Sequence, residues 1–367
     1  MINYLRKSCL LILIFHIPGI SHAVVNCKVS PTQPMKDDTV TLTGNITVGE
    51  DIPVGTIIYR AGTNVDGFAG VYCDAAFSLD NVREFESLRL PLSSWQGGAA
   101  SGKIYQTDIP GIGVAVRVAE GYTPLRDSAY FIRDSAGSRG RGRNRIILFI
   151  KTGPVSPGVI SGSNLPTLRD YIPATPGYTG LPLTTARLRF SGSLTVRAPT
   201  CKTPDVTVNL GTHEISQKFK GKGSYTDWVS ANIPFECSAG FTGYYPSGNN
   251  TISIAGSGTL PAGTPTNNQL TLTIKPLNEA IDAANGIMAV DKKDGAATGI
   301  GIQLNTPNNG WENLPAEGNV DFNKPLSWSI INSRPVYWPL RARYIQTTDK
   351  VTPGPANGKI VFTINYK

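Results

Sequence analysis

The sequence closes with Gly358-Lys-Ile-Val-Phe-Thr-Ile-Asn-Tyr-Lys367, a stretch whose alternation predicts a β-strand. One face of this strand carries the apolar side chains of Ile360, Phe362, Ile364 and Tyr366. A strand with an apolar face needs a sheet, and an exposed apolar edge promotes aggregation. We therefore expect either a paired inner strand or an edge that a strand from another chain covers.

The remainder of the sequence also predicts short strands and many turns. It has 367 residues, of which 39 are glycine and 27 are proline, and 16% are charged. No amphipathic helical pattern continues for three turns, whereas strand-like runs recur, among them Thr39–Ile46, Arg145–Thr152, Ala186–Val196 and Val206–Leu210. This pattern favours an all-β fold built of β-sandwiches.

The first 23 residues predict a secretory signal peptide. Arg6 and Lys7 precede the apolar run Cys9–Ile17, and Ser21-His22-Ala23 has the small residues of a cleavage site. The apolar run is too short to cross a bilayer. We therefore expect cleavage after Ala23 and a mature chain that is exported and does not insert into a membrane.

Four cysteines follow the predicted cleavage site, and they allow three disulfide connectivities. Export favours disulfides over metal sites. The spacing suggests two local pairs, Cys27–Cys73 and Cys201–Cys237. There is no C-x-x-C motif, and His213 is the one histidine beyond the cleavage site, so we expect no metal and no cofactor.

The mature sequence is long enough for two domains. A strand-like run ends at Arg197-Ala-Pro-Thr200, immediately before the second cysteine pair begins. We therefore expect one domain over residues 24–197 and another over residues 198–367, each with its own disulfide.

Several segments after the predicted boundary share their order with a known family. They are Thr200-Cys201, Val206-Thr-Val-Asn-Leu-Gly211, Ile233-Pro-Phe-Glu-Cys237, Gly299-Ile-Gly-Ile302, Pro339-Leu-Arg-Ala-Arg-Tyr344 and the terminal strand. Together they resemble the pilin domain of chaperone–usher fimbriae. This resemblance implies an incomplete immunoglobulin-like sandwich that lacks its last strand. In that family a periplasmic chaperone lends the strand first, and the N-terminal extension of the next subunit then replaces it. The face formed by Ile360, Phe362, Ile364 and Tyr366 would contact both.

The expected start of the mature chain indicates which kind of subunit this is. Shaft subunits of the family carry an alternating apolar extension before the first cysteine, and Val24-Val-Asn-Cys27 leaves no room for one. The resemblance therefore implies a subunit that accepts a strand without donating one, which can sit only at the fimbrial tip. It also implies export through the periplasm, an outer-membrane usher as a partner, and a position on the bacterial surface.

The N-terminal half is similar to the adhesin domain of type 3 fimbriae. The similar segments are Asp51-Ile-Pro-Val-Gly-Thr56, the run from Lys103 to Val114, and Ile150-Lys-Thr-Gly-Pro-Val-Ser-Pro-Gly158. This resemblance implies a receptor-binding, lectin-like domain over residues 24–197. Relatives carry an arginine where this sequence has Ala115, and here Arg117 lies two residues later on the same strand face.

Four residues are candidates for glycan binding, because sugar sites need an aromatic face and fixed hydrogen-bonding groups on loops or sheet edges. They are Arg117, Tyr122, Arg126 and Trp95. We expect Ala115 and Arg117 to face outward. Each candidate also has a structural interpretation that involves no ligand. Arg117 would be a solvated arginine, Tyr122 and Arg126 would be turn residues that pack locally, and Trp95 would be anchored in the core.

Arginines are densest in Ser138-Arg-Gly-Arg-Gly-Arg-Asn-Arg145, which we expect at a hairpin tip before the next strand. Arg139, Arg141 and Arg143 are candidates for anion binding, because guanidinium groups match carboxylates and sulfates. The alternative is a flexible, solvated turn. The net charge of +8 fits attraction to acidic surfaces, but an exported chain does not suggest nucleic acid as a partner.

The sequence gives little support for catalysis. His213 lies beside the pilin-like segment Val206–Gly211, and neither a G-x-S-x-G motif nor a glycine-rich phosphate loop occurs. A glycosidase with two carboxylates stays open, although nothing favours one. The leading hypothesis is a tip adhesin that binds a host glycan or matrix protein without chemistry. The alternative is a non-adhesive structural tip or adaptor subunit.

Overall fold

The computed structural model describes residues 23–64, 68–142, 144–198, 200–245, 252–255, 258–259, 268–307, 317–330 and 335–367. The predicted signal peptide lies outside the described residues except for Ala23. Within these ranges no helix is long and apolar enough to cross a membrane.

Strands make up nearly all the regular structure of the N-terminal half, with a single 3₁₀ turn at Gly162–Asn164. The strands are β1 (Val25–Val29), β2 (Lys36–Leu42), β3 (Asn45–Thr47), β4 (Ile57–Asn64), β5 (Ala69–Cys73), β6 (Phe77–Ser87), β7 (Tyr105–Gln106), β8 (Ile112–Val118), β9 (Gly121–Tyr122), β10 (Leu125–Arg133), β11 (Gly137–Arg141), β12 (Arg145–Lys151), β13 (Gly158–Ser161), β14 (Thr167–Ile172), β15 (Tyr178–Thr179) and β16 (Leu183–Arg197).

The C-terminal half is also built of strands, with one helical turn, α1 (Ile215–Lys218). Its strands are β17 (Cys201–Lys202), β18 (Val229–Ser230), β19 (Ile233–Pro234), β20 (Glu236–Cys237), β21 (Ile252–Ala255), β22 (Gly258–Thr259), β23 (Asn268–Pro276), β24 (Ala280–Asp282), β25 (Ile287–Ala289), β26 (Ile300–Thr306), β27 (Gly318–Asn319), β28 (Leu326–Ile330), β29 (Tyr337–Trp338), β30 (Arg341–Gln346) and β31 (Ile360–Tyr366). The prediction of an all-β fold is confirmed.

Three sheets organise the N-terminal half. Their strand orders are β10-β6-β14-β16-β2-β22, β21-β4-β12-β8-β7 and β11-β5-β1-β15, so β21 and β22 of the C-terminal half add an edge strand to each of the first two sheets. The core between the first two sheets contains Val40, Ile58, Phe149 and Leu194, each almost fully buried. Apolar side chains occupy alternate positions of these strands, so the burial of one face of each sheet stabilises the sandwich.

The C-terminal half has a separate core. Its two larger sheets have the orders β18-β30-β26-β25-β24 and β28-β23-β31. Leu272 and Trp338 are fully buried in this core, and Met288, Ile302 and Trp328 pack with them. Two separate cores in sequence confirm β-sandwich domains in tandem. The boundary at residues 197–200 stays a prediction that this separation supports.

Each half contains one disulfide. Cys27 pairs with Cys73 between the neighbouring strands β1 and β5, and Cys201 pairs with Cys237 between β17 and β20. The predicted connectivity is therefore confirmed. Both bridges join directly opposed residues of antiparallel strands, so each fixes the register of its own pair.

The terminal strand β31 is paired along one edge only. Its residues bond to β23 from Leu270↔Tyr366 to Pro276↔Ile360. Ile360, Phe362, Ile364 and Tyr366 pack against the C-terminal core, yet all four stay partly exposed. On its other edge no strand pairs with β31 in the part of the chain that the structure describes.

The strand predicted at Val206–Leu210 was wrong. Residues 203–214 have no regular structure, and Val206 is exposed. A strand forms only where its backbone joins a ladder, and the described structure gives this segment no partner strand.

The two halves also contact each other. The backbone N–H of Asp51 donates to the Tyr366 carbonyl at 2.9 Å, and the Tyr366 N–H donates to Asp51 Oδ2 at 2.7 Å. A Cβ added at Gly49 would lie 2.3 Å from the Tyr366 carbonyl oxygen, so glycine is required at this approach. Tyr245 of the C-terminal half packs edge-on against Tyr59 in the N-terminal core.

We expect non-reducing peptide mapping of the exported protein to recover two bridged peptide pairs, one for Cys27 with Cys73 and one for Cys201 with Cys237. Both bridges connect adjacent strands, so local folding of each half brings the sulfurs together before distant cysteines meet. A reduced and alkylated digest is the control. A peptide that bridges the two halves would contradict this fold.

Candidate functional site

Two of the predicted glycan-binding residues lie side by side at the edge of the sheet that contains β8. Arg117 is exposed, and Tyr122 of β9 lies directly opposite it. On the other side Arg117 is opposite Ile146 of β12. The Nζ of Lys103 donates to the Tyr122 carbonyl at 2.9 Å. We call this arrangement of Arg117, Tyr122 and Lys103 the β8 edge patch; it brings two cationic residues next to the half-buried Tyr122.

Ala115 does not face solvent, which corrects the sequence prediction. It lies on the opposite face of β8 from Val114 and Val116, as alternation requires, but it is fully buried. A small second core covers this face, formed by Ala100, Ile104, Ala115, Leu148 and Ile150. The segment that precedes β7 folds over the sheet here, so Arg117 lies at the rim of a covered surface.

Trp95 belongs to this covering segment. Its side chain is half-buried and packs against the second core. The ring lies close to Gly97, where an added Cβ would approach within 2.2 Å of the indole. The structural interpretation therefore describes Trp95 well, because its ring anchors a loop and is not a free stacking platform.

Arg126 lies apart from Tyr122, on β10 in a different sheet. Its Nε and Nη2 both donate to Asp80 Oδ2, at 2.9 and 2.7 Å. Asp80 also accepts the Ala129 N–H at 2.9 Å, and this bond, followed by the Arg126 contact, lowers the pKa of the carboxyl. Arg126 therefore stabilises a bulged strand pair, where Ala129 has a positive φ of 50°.

The arginine-rich run is not a hairpin tip, which corrects a second prediction. Residues 137–141 form the strand β11, which pairs with β5 from Gly137↔Cys73 to Arg141↔Ala69. Arg139 and Arg141 are exposed on this edge strand, and Arg143 lies outside the described residues. Arg141 Nε donates to the Tyr130 carbonyl at 3.2 Å, and its guanidinium lies 5.0 Å from the Tyr130 ring.

The last arginine of the run, Arg145, has a different role. Its side chain is 5% exposed, and its Nη2 is hydrogen-bonded to Asp170 Oδ2. The side chain of Asp170 is 8% exposed, and Asp170 is opposite Arg83 across β14 and β6. A buried charge is costly unless it is paired, so this contact holds the two sheets together.

Arg83 extends the buried charges into a network. Its Nη1 bonds to Asp127, its Nη2 donates to the Tyr130 hydroxyl at 2.9 Å, and Glu120 lies 3.6 Å away. Burial raises the pKa of Asp127 although Arg83 acts in the opposite direction. Burial also raises the pKa of Tyr130. We call Asn81, Arg83, Asp127, Tyr130, Arg145 and Asp170 the inner polar network.

Two strands contain sequence patterns that indicate the inner polar network, although we did not predict this network from the sequence. In β6 the residues Phe77, Leu79, Asn81 and Arg83 share the buried phase of the alternation. In β14 Asp170 lies between the buried Leu168 and Ile172. Polar residues at apolar positions of two paired strands predict an internal charge cluster, because an unpaired one would not be tolerated.

No metal centre is visible in the ranges that the structure describes, where no group of three His, Cys, Asp or Glu side chains could hold an ion.

Residues 188–367 match the family model of fimbrial proteins. The match begins within β16, ten residues before the predicted boundary at 198. No curated protein sequence matches the chain significantly.

Solved structures that resemble the chain include fimbrial adhesins. The receptor binding domain of the adhesin MrkD1P of Klebsiella pneumoniae is 18% identical, covering 50% of this chain and 99% of that domain, with a TM-score of 0.31. The CupB6 tip adhesin of Pseudomonas aeruginosa is 15% identical over 93% and 95% of the two chains, with a TM-score of 0.35. CfaE, the adhesive subunit of CFA/I fimbria of enterotoxigenic Escherichia coli, is 12% identical over 91% and 98%, with a TM-score of 0.26.

We expect Asp170→Ala to lower the free energy of unfolding by about 3–5 kcal/mol, because it leaves Arg145 and Arg83 buried with one carboxylate fewer. The matched control is Glu86→Ala, which removes the more exposed partner of Arg187 and should cost less than about 1 kcal/mol. Urea unfolding of the full chain measures both. Equal shifts in the two variants would show that the inner polar network does not stabilise the fold.

Proposed function

We propose that this chain, whose residues 188–367 form a domain of the fimbrial protein family, is the adhesive subunit at the tip of a chaperone–usher fimbrium. The observation that carries the proposal concerns the terminal strand β31. This strand is paired along one edge, and its apolar face is only partly covered by the rest of the domain. A fimbrial domain with such an edge is suited to accept a strand from another protein.

The apolar face of β31 supports strand acceptance in detail. Ile360, Phe362 and Ile364 contact the C-terminal core but keep part of their surface exposed. Val208 is also only partly buried against that core, in a segment without regular structure. A donated strand would pair with β31 and cover these side chains, first from a periplasmic chaperone and then, after delivery to the outer-membrane usher, from the next subunit.

The first strand of the described chain supports the tip position. Val25–Val29 forms β1, which pairs with β5 and β15 inside the N-terminal domain and is tied there by the Cys27–Cys73 disulfide. This segment is therefore occupied in its own domain and is not free to complete a neighbouring subunit. The chain accepts a strand without donating one from these residues.

The N-terminal domain would then hold the receptor surface, for which the β8 edge patch is our candidate. The exposed Arg117 supplies a cation, and Tyr122, directly opposite it on β9, supplies an aromatic ring. Aromatic and guanidinium groups in this arrangement suit a host glycan or a matrix protein with polar side chains. The chain would act on the bacterial surface, by binding and not by catalysis.

We expect Phe362→Asp to abolish the complex with a co-expressed fimbrial chaperone, because it would bury an unpaired charge in the strand-accepting groove at a cost of several kcal/mol. Val361→Asp is the matched control, since Val361 is 49% exposed on the opposite face of the same strand. Yields of co-purified complex measure the effect. Equal yields from both variants would contradict strand acceptance at this face.

We expect the full chain, completed by its chaperone, to bind saturably on a glycan and matrix-protein array, and Arg117→Ala to weaken that binding by about tenfold. The magnitude corresponds to the loss of one charge-assisted hydrogen bond. Arg133→Ala, an exposed arginine on β10, is the control. Absence of binding by the unaltered chain would favour a non-adhesive tip or adaptor subunit, and unchanged binding by Arg117→Ala would place the receptor elsewhere.

A further inference from the structure

Two arginines of β30 lie on the outer face of the C-terminal sandwich. Ala342 and Tyr344 of this strand pack with the C-terminal core. Side chains alternate between the two faces of a strand, so Arg341 and Arg343 share the face that points away from the core. Both arginines are only half-buried there.

The neighbouring strand β26 holds both guanidinium groups in place. Arg343 Nε donates to Gln303 Oε1 at 2.9 Å, and Arg341 Nε donates to Asn305 Oδ1 at 2.8 Å. Gln303 and Asn305 are 4% and 6% exposed. Each arginine is therefore anchored by a buried amide, which reduces the conformational freedom that the side chain would lose on binding a partner.

Two aromatic rings complete this surface. The guanidinium carbon of Arg343 lies 3.7 Å from the centre of the Tyr225 ring and 4.1 Å from that of Trp228. The guanidinium carbon of Arg341 lies 4.9 Å from the same Trp228 ring. Tyr225 is 55% exposed. We call Tyr225, Trp228, Arg341 and Arg343 the arginine–aromatic patch.

The charges of the patch are incompletely balanced. Glu317 Oε1 lies 3.0 Å from Arg341 Nη2, whereas no Asp or Glu in the described part of the chain forms an ion pair with Arg343. Burial lowers the pKa of Arg343, and the charge of the neighbouring Arg341 acts in the same direction. A partly buried cation is stabilised by an anion that pairs with it, so the patch is suited to a negatively charged group.

The composition of the patch favours a carboxylate of a protein over other anions. A guanidinium has five N–H donors in a planar fork that matches a carboxylate, and Gln303 uses one donor of Arg343. Trp, Tyr and Arg are the residues enriched at the energetic centres of protein–protein interfaces. Rings that already contact the guanidinium groups would cover the aliphatic parts of a bound side chain.

The loop beside β30 adds further positive charge. Lys220 and Lys222 are exposed, and the Gly221 N–H between them donates to Gln346 Oε1 at 3.0 Å, which fixes the loop to the end of β30. An extended segment with several carboxylates could therefore contact the patch and this loop together.

We propose that the arginine–aromatic patch is a docking surface for an acidic, carboxylate-bearing segment of another protein. The strand β31 belongs to the other sheet of this domain, so the patch does not depend on strand acceptance. It is also distinct from the β8 edge patch, and its occupant is a protein segment and not a receptor of the N-terminal half.

The test titrates the purified full chain into a fluorescein-labelled hexaglutamate peptide and follows the anisotropy, with labelled hexaglutamine as the uncharged peptide. The variants are Arg343→Ala, Arg343→Lys and Tyr225→Ala. Arg133→Ala is the matched control, because it removes one positive charge from an exposed arginine of the N-terminal half. Arg343→Lys keeps the charge but loses the planar fork.

We expect hexaglutamate to bind the unaltered chain and Arg133→Ala equally, and to bind Arg343→Ala about tenfold more weakly, as the loss of one charge-assisted contact predicts. Arg343→Lys and Tyr225→Ala should also weaken binding, and hexaglutamine should not bind. If Arg343→Ala lowers the melting temperature, Arg343→Lys decides.

Three results would overturn the proposal. They are an absence of hexaglutamate binding, equal losses in Arg343→Ala and Arg133→Ala, and full binding by Arg343→Lys, which would show that charge alone attracts the peptide. Stronger binding of a sulfated heparin fragment that hexaglutamate does not displace would also contradict it, since the partner would then be a polysaccharide. Receptor binding on the array and the yield of the chaperone complex should not change in Arg343→Ala, so either proposal can fail without the other.

Discussion

The open edge of β31 is the constraint on which the C-terminal domain depends. A sheet edge that carries unpaired backbone groups and a half-covered apolar face is unfavourable in water. The described chain supplies no strand for it, and the neighbouring residues 203–214 stay irregular. As we propose, a strand from another protein would complete the domain, and its folding would then be coupled to its assembly.

The same strand also connects the two domains. The end of β31 makes two hydrogen bonds with Asp51, in a loop of the N-terminal domain: the Asp51 N–H donates to the Tyr366 carbonyl, and the Tyr366 N–H donates to the Asp51 carboxylate. Lys151 is buried against that loop, where its Nζ donates to the Gly49 and Glu50 carbonyls at 3.1 and 2.6 Å. Burial lowers the pKa of Lys151. A partner that binds at β31 would therefore lie close to the contact between the two halves.

Alternation and spacing predicted what depends on local pattern. The residues that share a face of β31 could be predicted because side chains alternate between the two faces of a strand. The two disulfides could be predicted because each cysteine pair joins neighbouring strands. The candidate site was harder to predict, since it depends on which strands meet. β11 pairs with β5, far away in sequence, so Arg139 and Arg141 lie on a strand where the sequence suggested a turn. Arg145, Arg83 and Asp170 form one network only because three strands bring them together.

Amide hydrogen exchange of residues 360–366 tests strand acceptance most directly. In the chain alone, the β31 amides that bond neither to β23 nor, like the Tyr366 N–H, to Asp51 should exchange rapidly, whereas those within the β23 ladder should be protected. Addition of a strand-donating chaperone should protect both sets. Rapid exchange that persists in the complex, or full protection in the chain alone, would contradict the account.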